Sequence, residues 1–351
     1  MSEYDEFGDP PGQRPSIPRD GFGRPVLPHP ETGEEVHWTR PTTLAKALSD
    51  TYNLNIWSKR MALRGLVVRP DLLSRVQATI PADPLDHSAD KELNELIRKA
   101  EEAGGSTVGA NIGTARHEFS RRVDADADPR SAVLALVPAE HQPYLLAYVD
   151  AMEKAQLYTY ADMIEVMCCT PEVECAGTFD RLLIHQPEHG GMPMIGDLKT
   201  AKLNSLAYAF MEIAIQLSVY AHSGWWWDLT ARQWRPHAEP IDSHVGVVMH
   251  LPNDLPPEDA RCDLYMIDLK EGWELAQLAY HVRGKRRNTG RLARPWPVAE
   301  KVLELPDWET RLRAACSRAD LSAVWREAAA AGQWTPELEV VGRARLLEIG
   351  A

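Results

Sequence analysis

Asp197-Leu-Lys199 closes the run Met194-Ile-Gly-Asp-Leu-Lys-Thr200 and follows Asp180 of Gly177-Thr-Phe-Asp-Arg181 at a distance of 17 residues. Alternate side chains of an extended segment share a face, so Asp197 and Lys199 point the same way. A carboxylate beside an ammonium suits metal-assisted phosphodiester hydrolysis. The acid offers hard oxygen to a divalent cation, while the amine orients or deprotonates the attacking water and offsets charge building on the phosphate. An Asp-x-Lys triplet is also what an ordinary surface charge pair on a strand looks like, so its neighbours must decide.

Those neighbours are Gly113-Thr-Ala-Arg-His117-Glu118, in a stretch that reads as helix, and Gln216 and Tyr220, four apart within Ser205 to His222. An i,i+4 spacing sets Gln216 and Tyr220 on one helical face. In chain order there is a His on a helix, an Asp on a strand, an Asp-x-Lys on the next strand and a Gln-x-x-x-Tyr on a helix. This arrangement resembles the PD-(D/E)XK nuclease superfamily. Within it, the similarity is to the RecB-type exonuclease domains that include CRISPR-associated exonucleases and the stand-alone exonucleases of phages of actinobacteria. It spans about residues 105 to 285, and more weakly the helices before them.

The resemblance implies an α/β fold with a restriction-endonuclease-like core: a central mixed β-sheet built as helix, three-stranded meander, crossover helix and strand, flanked by added helices. Its site lies where the second and third strands diverge. Asp180 and Asp197 would be the principal metal ligands, joined by the His117 imidazole and the Leu198 backbone carbonyl, with Lys199 acting on the water. Gln216 would bond a phosphate or steady Lys199, and Tyr220 would prop that network or simply belong to the core. One or two Mg²⁺ or Mn²⁺ ions are implied, and an imidazole donor favours Mn²⁺. The implied activity is a metal-dependent DNA exonuclease acting on free ends, in phage or bacterial recombination, replication or repair, with a single-strand annealing or recombination protein as a possible partner. Two alternatives are a structure- or sequence-directed endonuclease of the same fold and a catalytically silent DNA-binding or assembly module. Asp180, Asp197 and Lys199 count against the last, because a retired site has no reason to keep buried, mutually repelling carboxylates.

The sequence departs from the family at its cysteines. Many RecB-type domains hold an iron-sulfur cluster on one cysteine before the core and three after it. Cys168, Cys169, Cys175, Cys262 and Cys316 do not supply that trailing trio, so no cluster is expected and the thiols read as structural and reduced.

A chain of 351 residues with 44% hydrophobic and 25% charged residues can bury a substantial core. Its net charge of −13 argues against nonspecific coating of DNA. Phosphate contacts need only a local basic groove, for which Arg283 to Arg294, with six basic and no acidic residues, is a candidate; a solvated loop is the alternative. No run approaches the roughly 18 apolar residues of a membrane span, and the acidic, Pro-rich N-terminus is unlike a signal peptide. The expected location is the cytoplasm, that of a bacterial host if phage-encoded.

Four regions are expected: an irregular Pro-rich arm (1–40), a helical lobe (41–104), the nuclease core (105–290) and a helical extension (291–351). The core should hold helices over Asn111–Val123 and Glu140–Tyr158. Strands should follow at Met163–Thr170, Val173–His185 and Met192–Lys199, then a helix over Ser205–His222 and strands at Ser243–Leu251 and Leu264–Leu269. Lys270–Arg287 reads as helix, and Pro306–Ala331 as two more. Asp124-Ala-Asp-Ala-Asp128 lacks the glycine and the bidentate Glu of a calcium loop and reads as a solvated turn. Glu118 reads as a surface acid. Arg116, Arg121, Arg122 and Arg181 could bind phosphates or simply be solvated. His185 and His189 flank a turn remote from the carboxylates. Of Trp225, Trp226 and Trp227, at least one should be core, since adjacent residues cannot all stack on one strand of DNA.

Overall fold

Trp38 explains why the supposed arm folds. Strands β1 (Val26–Pro28) and β2 (Glu35–His37) pair antiparallel. Trp38 follows them, only 1% exposed, donating its indole N–H to the Leu27 carbonyl at 3.0 Å and packing on Met167, Cys169, Ala176 and Trp227. Burying one large aromatic with its polar group satisfied anchors a Pro-rich stretch that local pattern alone leaves irregular. This computed structural model describes residues 17–83, 85–186, 191–294 and 306–350.

Helices α1 (Pro41–Ala45), α2 (Tyr52–Val68), α3 (Pro70–Thr79) and α4 (Asp90–Ala103) come next. A Cβ at Gly65 of α2 would lie 1.7 Å from the Ala100 carbonyl oxygen of α4, so this crossing requires glycine. Leu72, Leu96 and Ala100 form the small core of the lobe. The chain continues through α5 (Val108–Asp124), α6 (Pro129–Leu136) and α7 (Gln142–Lys154) into β3 (Leu157–Thr170), β4 (Cys175–His185) and β5 (Met194–Lys199). It then forms α8 (Phe210–Ala221), β6 (Trp225–Asp228), β7 (Gln233–Pro236), β8 (Val245–His250), β9 (Asp263–Asp268) and α9 (Leu269–Arg287).

The fold is α/β, and among the described residues strands β3 to β9 form one mixed seven-stranded sheet in the order β7-β6-β3-β4-β5-β8-β9. Among the described strands of this sheet, β5 and β8 alone pair in parallel, with α8 in the connection between them, as a parallel pair requires. Side chains alternate between two cores. Leu183, Leu198, Val247 and Met249 pack with Phe119 and Val123 of α5 and Leu145 and Tyr148 of α7. Phe179, Ile195 and Val248 pack with Ile213 and Leu217 of α8 and with Leu269. Helices therefore cover both faces of the sheet.

Several boundaries differ from expectation. The helix expected to reach Tyr158 ends at Lys154, where Gln156 at φ 54° turns the chain into a longer β3. The hairpin β6–β7 was not anticipated because its strands have four residues each, too few for a period to show. It takes up all three tryptophans, with Trp227 in the core at 8% exposure and Trp225 and Trp226 half-buried. The chain divides into two compact units at Arg283, ahead of the boundary expected near 290, and the helical lobe belongs to the same unit as the sheet. The two helices expected over Pro306–Ala331 are α10 (Trp308–Ala314) and α11 (Arg318–Ala330), and among the described residues a further one, α12 (Pro336–Gly350), follows them, packed around Leu312, Leu321 and Val324. In α12 the apolar residues lie all around the helix, Val340 and Leu347 facing outward, so no stripe marks it. Among the described residues, no helix is long and apolar enough to cross a membrane.

Candidate metal centre

β4 and β5 pair at Leu183–Met194, Leu182–Ile195 and Arg181–Gly196 and then part. The next residue on each strand is an acid, Asp180 on one and Asp197 on the other. On the opposite side of β4, the β3 pairs Ile164–Arg181 and Val166–Phe179 bracket Glu165, which stands across from Asp180. Leu198 ties the edges together. Its amide donates to Asp180 Oδ2 at 2.9 Å, and its carbonyl accepts from His117 Nε2 at 2.6 Å. A proton fixed on Nε2 leaves the Nδ1 lone pair free, and Nδ1 lies 3.5 Å from Asp180 Oδ2. His117 reaches this point because α5 presses on the strand end. A Cβ at Gly113, one turn before it, would lie 2.6 Å from Thr200 Oγ1.

His117, Glu165 and Asp180 each present a ligand atom within 4.8 Å of the others. Two of them, His117 and Glu165, line a cleft of about 620 Å³ together with Gly109, Gly113, Glu118 and Thr200. Glu165 lies just beyond the register shift between Thr159 and Ile164 and adopts φ 56°. A non-glycine residue held there stores on the order of 1–3 kcal/mol of strain, which the surroundings must impose. Packing around its carboxyl, followed by the charge of Asp180, pushes Glu165 up to about 7 although its side chain opens on the cleft. Two carboxylates and an imidazole so disposed fit a divalent cation: the donors are oxygen and nitrogen, and the crowding of the acids is what a bound positive charge would relieve. Sequence reading missed Glu165. The available signal was an acid between Ile164 and Val166, in a run otherwise apolar to Cys169.

Asp197 is not in that trio. It is 1% exposed, with Oδ2 2.6 Å from Lys199 Nζ and Oδ1 3.5 Å from Gln216 Nε2 of α8. Burial pushes the Asp197 carboxyl up, opposed by Lys199. At Lys199 burial works against the ammonium, but Asp197 and then Asp180 outweigh it and raise its pKa above the ordinary lysine value. This charge environment favours the ammonium form of Lys199. Tyr220 is 4% exposed, edge-on to Phe179 at 6.3 Å, and hydrogen-bonded with Gln216, so it is core and prop together. Asp180, Leu198 and His117 thus meet directly, while Asp197, Lys199, Gln216 and Tyr220 form an adjoining chain.

The arginines divide differently from expectation. Arg181 is 1% exposed and cannot reach a phosphate. Its Nη1 lies 2.9 Å from Asp124 Oδ2 and donates to the Tyr148 hydroxyl at 2.6 Å, and its Nη2 donates to Ser120 Oγ at 3.1 Å. Asp124, expected in a solvated turn, is therefore the buried end of α5, because a buried guanidinium needs a counter-charge. Arg116 is also buried, donating to the Pro252 carbonyl at 3.1 Å and lying 3.6 Å over the Tyr144 ring. Arg121 and Arg122 both pair with Glu118, at 2.6 and 2.9 Å, so that acid is bridged rather than free. His185 is half-buried at the end of β4, while His189 lies outside the described residues. The five cysteines are free thiols, and Cys168, Cys169 and Cys175 are buried. No family model matches this sequence, and no curated protein matches it, so the reading of the site stands on its residues and their geometry.

Proposed function

We propose that this chain is a cation-dependent deoxyribonuclease that hydrolyses phosphodiester bonds as an exonuclease, from free DNA ends. The observation that carries the reading is the meeting of His117, Glu165 and Asp180 beside a lysine–carboxylate pair, at the point where two adjacent strands separate. The order helix, three-stranded meander, helix, parallel strand supports a restriction-endonuclease-like core. His117 through Nδ1, with Glu165 and Asp180, would hold Mg²⁺ or, favoured by the imidazole, Mn²⁺, which when bound supplies Lewis acidity and a water of lowered pKa. Leu198 fixes the His117 ring by accepting from Nε2 and fixes Asp180 by donating to it. The Lys199 ammonium, held by Asp197, is placed to donate to a phosphate oxygen as negative charge develops there. Gln216 and Tyr220 keep Asp197 from turning away. The cleft beside Glu165 leaves room for a polymer to lie across the site.

An endonuclease would use the same groups, and substrate topology separates the two. End-labelled linear DNA and covalently closed circles are incubated with Mg²⁺, Mn²⁺ or chelator, using wild type and Lys199→Ala. The exonuclease reading requires loss of linear DNA alone, dependent on both cation and Lys199. Cleavage of closed circles would favour the endonuclease, and cleavage without cation or without Lys199 would overturn the chemistry.

A further inference from the structure

Helix α2 turns a basic, aromatic face to solvent, and nothing in the site accounts for it. From Thr51 to Pro70 there is no acidic residue, in a chain of net charge −13. One side of α2 is committed to α4. Gly65 meets Ala100, Met61 meets Gly104, Ser58 donates to Glu101, and Ala62 and Leu66 join the lobe core. At 100° per residue, the other side carries Tyr52, Trp57, Lys59, Arg60, Leu63 and Arg64. Tyr52 is 68% exposed and Trp57 40%, and the three basic residues are exposed as well. No acid pairs with Lys59, Arg60 or Arg64 among the described residues, whereas Arg69, just past the helix, is matched to Asp71 at 2.7 Å. The acid of α4 that contacts α2, Glu101, does so on the packed side.

We propose that this face of α2 binds single-stranded nucleic acid, with Arg60, Arg64 and Lys59 on backbone phosphates and Trp57 and Tyr52 stacking on bases. Unpaired cations on an acidic protein are complementary to a polyanion, and exposed aromatics between them supply flat surfaces for unstacked bases. A lipid surface fits less well. Lys59 and Arg60 occupy the middle turn between the outward Tyr52 and half-buried Ile56 and the outward Leu63 and Val67, so the apolar row is broken where a bilayer would need it continuous. Chain connectivity links the helix, through its packed side, to the cleft wall. Gly104, whose Cβ would strike the Met61 carbonyl of α2 at 2.1 Å, is five residues before Gly109 on the cleft wall. The inference deepens the nuclease reading, giving it a holding surface for a strand presented to the site.

Binding is measured without turnover. Fluorescein-labelled oligo(dT) is titrated by anisotropy in chelator, over a salt series, with wild type, Arg60→Ala/Arg64→Ala, Arg60→Lys/Arg64→Lys, Trp57→Ala, Trp57→Phe and Lys199→Ala. Circular dichroism and melting confirm that each variant is folded. The double alanine variant should lower the steepness of log K against log salt by about 1.4, at roughly 0.7 per phosphate contact on single strands, and the double lysine variant should restore it. Trp57→Ala should weaken binding about 5- to 150-fold, with Trp57→Phe intermediate. Adding Arg60→Ala/Arg64→Ala to Lys199→Ala should lower the slope by the same amount as it does in wild type, which separates this surface from the cleavage site. Wild-type affinity and salt slope in the folded α2 variants would overturn the proposal whether or not the chain cuts DNA. So would binding to anionic phosphatidylserine vesicles in place of DNA.

Discussion

Glu165 stands across from Asp180 on the adjacent strand, in a left-handed backbone conformation, and the two acids share His117 as a third neighbour. Its carboxyl, ordinarily near 4.5, is raised to about 7. The folded chain therefore holds this proton more tightly than the unfolded one, so the Glu165 contribution lowers stability as pH rises from about 4.5 through about 7. Without a cation, Glu165→Gln should melt higher than wild type at pH 8 and show little difference at pH 4.5. Mn²⁺ should raise the melting temperature of wild type at pH 8 by binding the folded state, and raise that of Glu165→Gln less. An equal Mn²⁺ shift in both proteins would remove Glu165 from the centre.

Lys199 and Asp197 make a second prediction, which turns on charge rather than basicity. Lys199→Met should lower turnover by about 10²–10³, the usual loss on deleting a donor to developing charge. Lys199→Arg keeps a permanent cation and should retain measurable turnover, which a residue required as a base could not. Equal inactivity of the two variants would contradict the donor role. The same pair should couple in stability. Lys199→Met leaves the buried Asp197 charge without its ammonium, so adding Asp197→Asn should recover part of the loss, with an interaction energy of about 0.5–3 kcal/mol in urea unfolding.

A third prediction concerns the support of the site. Arg181 and Asp124 are 1% and 6% exposed at their side chains, so breaking this pair on one side strands a charge in the interior. Arg181→Met should cost about 3–5 kcal/mol, and Arg181→Met/Asp124→Asn less than the single change. Urea unfolding checks both values. A double variant as unstable as the sum of its parts would mean that Arg181 acts through packing on Tyr148 and not through its charge.

What sequence made legible follows from the range of each interaction. Asp197 and Lys199 share a face because of strand alternation, and Gln216 and Tyr220 share one because of helical spacing, both properties of a few consecutive residues. The helix, meander and crossover order was likewise carried by local patterns. Glu165 was not legible, because what sets it opposite Asp180 is a register shift between β3 and β4 that no local period records. Nor were the buried arginines. Arg181 is held by Asp124, Tyr148 and Ser120, and Arg116 by Pro252 and Tyr144, partners that only the folded chain assembles. An arginine next to a candidate ligand reads as a phosphate binder until its counter-charge is located.

The closeness of α5 to the strand end gives a final prediction, in which two opposing magnitudes decide the sign. Gly113→Ala should gain about 1 kcal/mol from helix propensity. It also places a methyl 2.6 Å from Thr200 Oγ1, and overpacking of that kind costs about 1–3 kcal/mol. Thr200 has a short β-branched side chain, so relief demands a rotamer change or a displacement of the helix that carries His117. Gly113→Ala alone should therefore be neutral to destabilising, and should weaken Mn²⁺ binding by moving the imidazole. In Gly113→Ala/Thr200→Ala the offending oxygen is gone, and the remaining neighbour, Thr200 Cβ, lies 3.9 Å away in ordinary contact. The double variant should then show the propensity gain, melting above Thr200→Ala alone, with Mn²⁺ affinity restored toward that of Thr200→Ala. Calorimetric titration of Mn²⁺ into the four proteins of this cycle reads the coupling directly. Strictly additive effects on stability and affinity would show that the approach of α5 to Thr200 does not position His117.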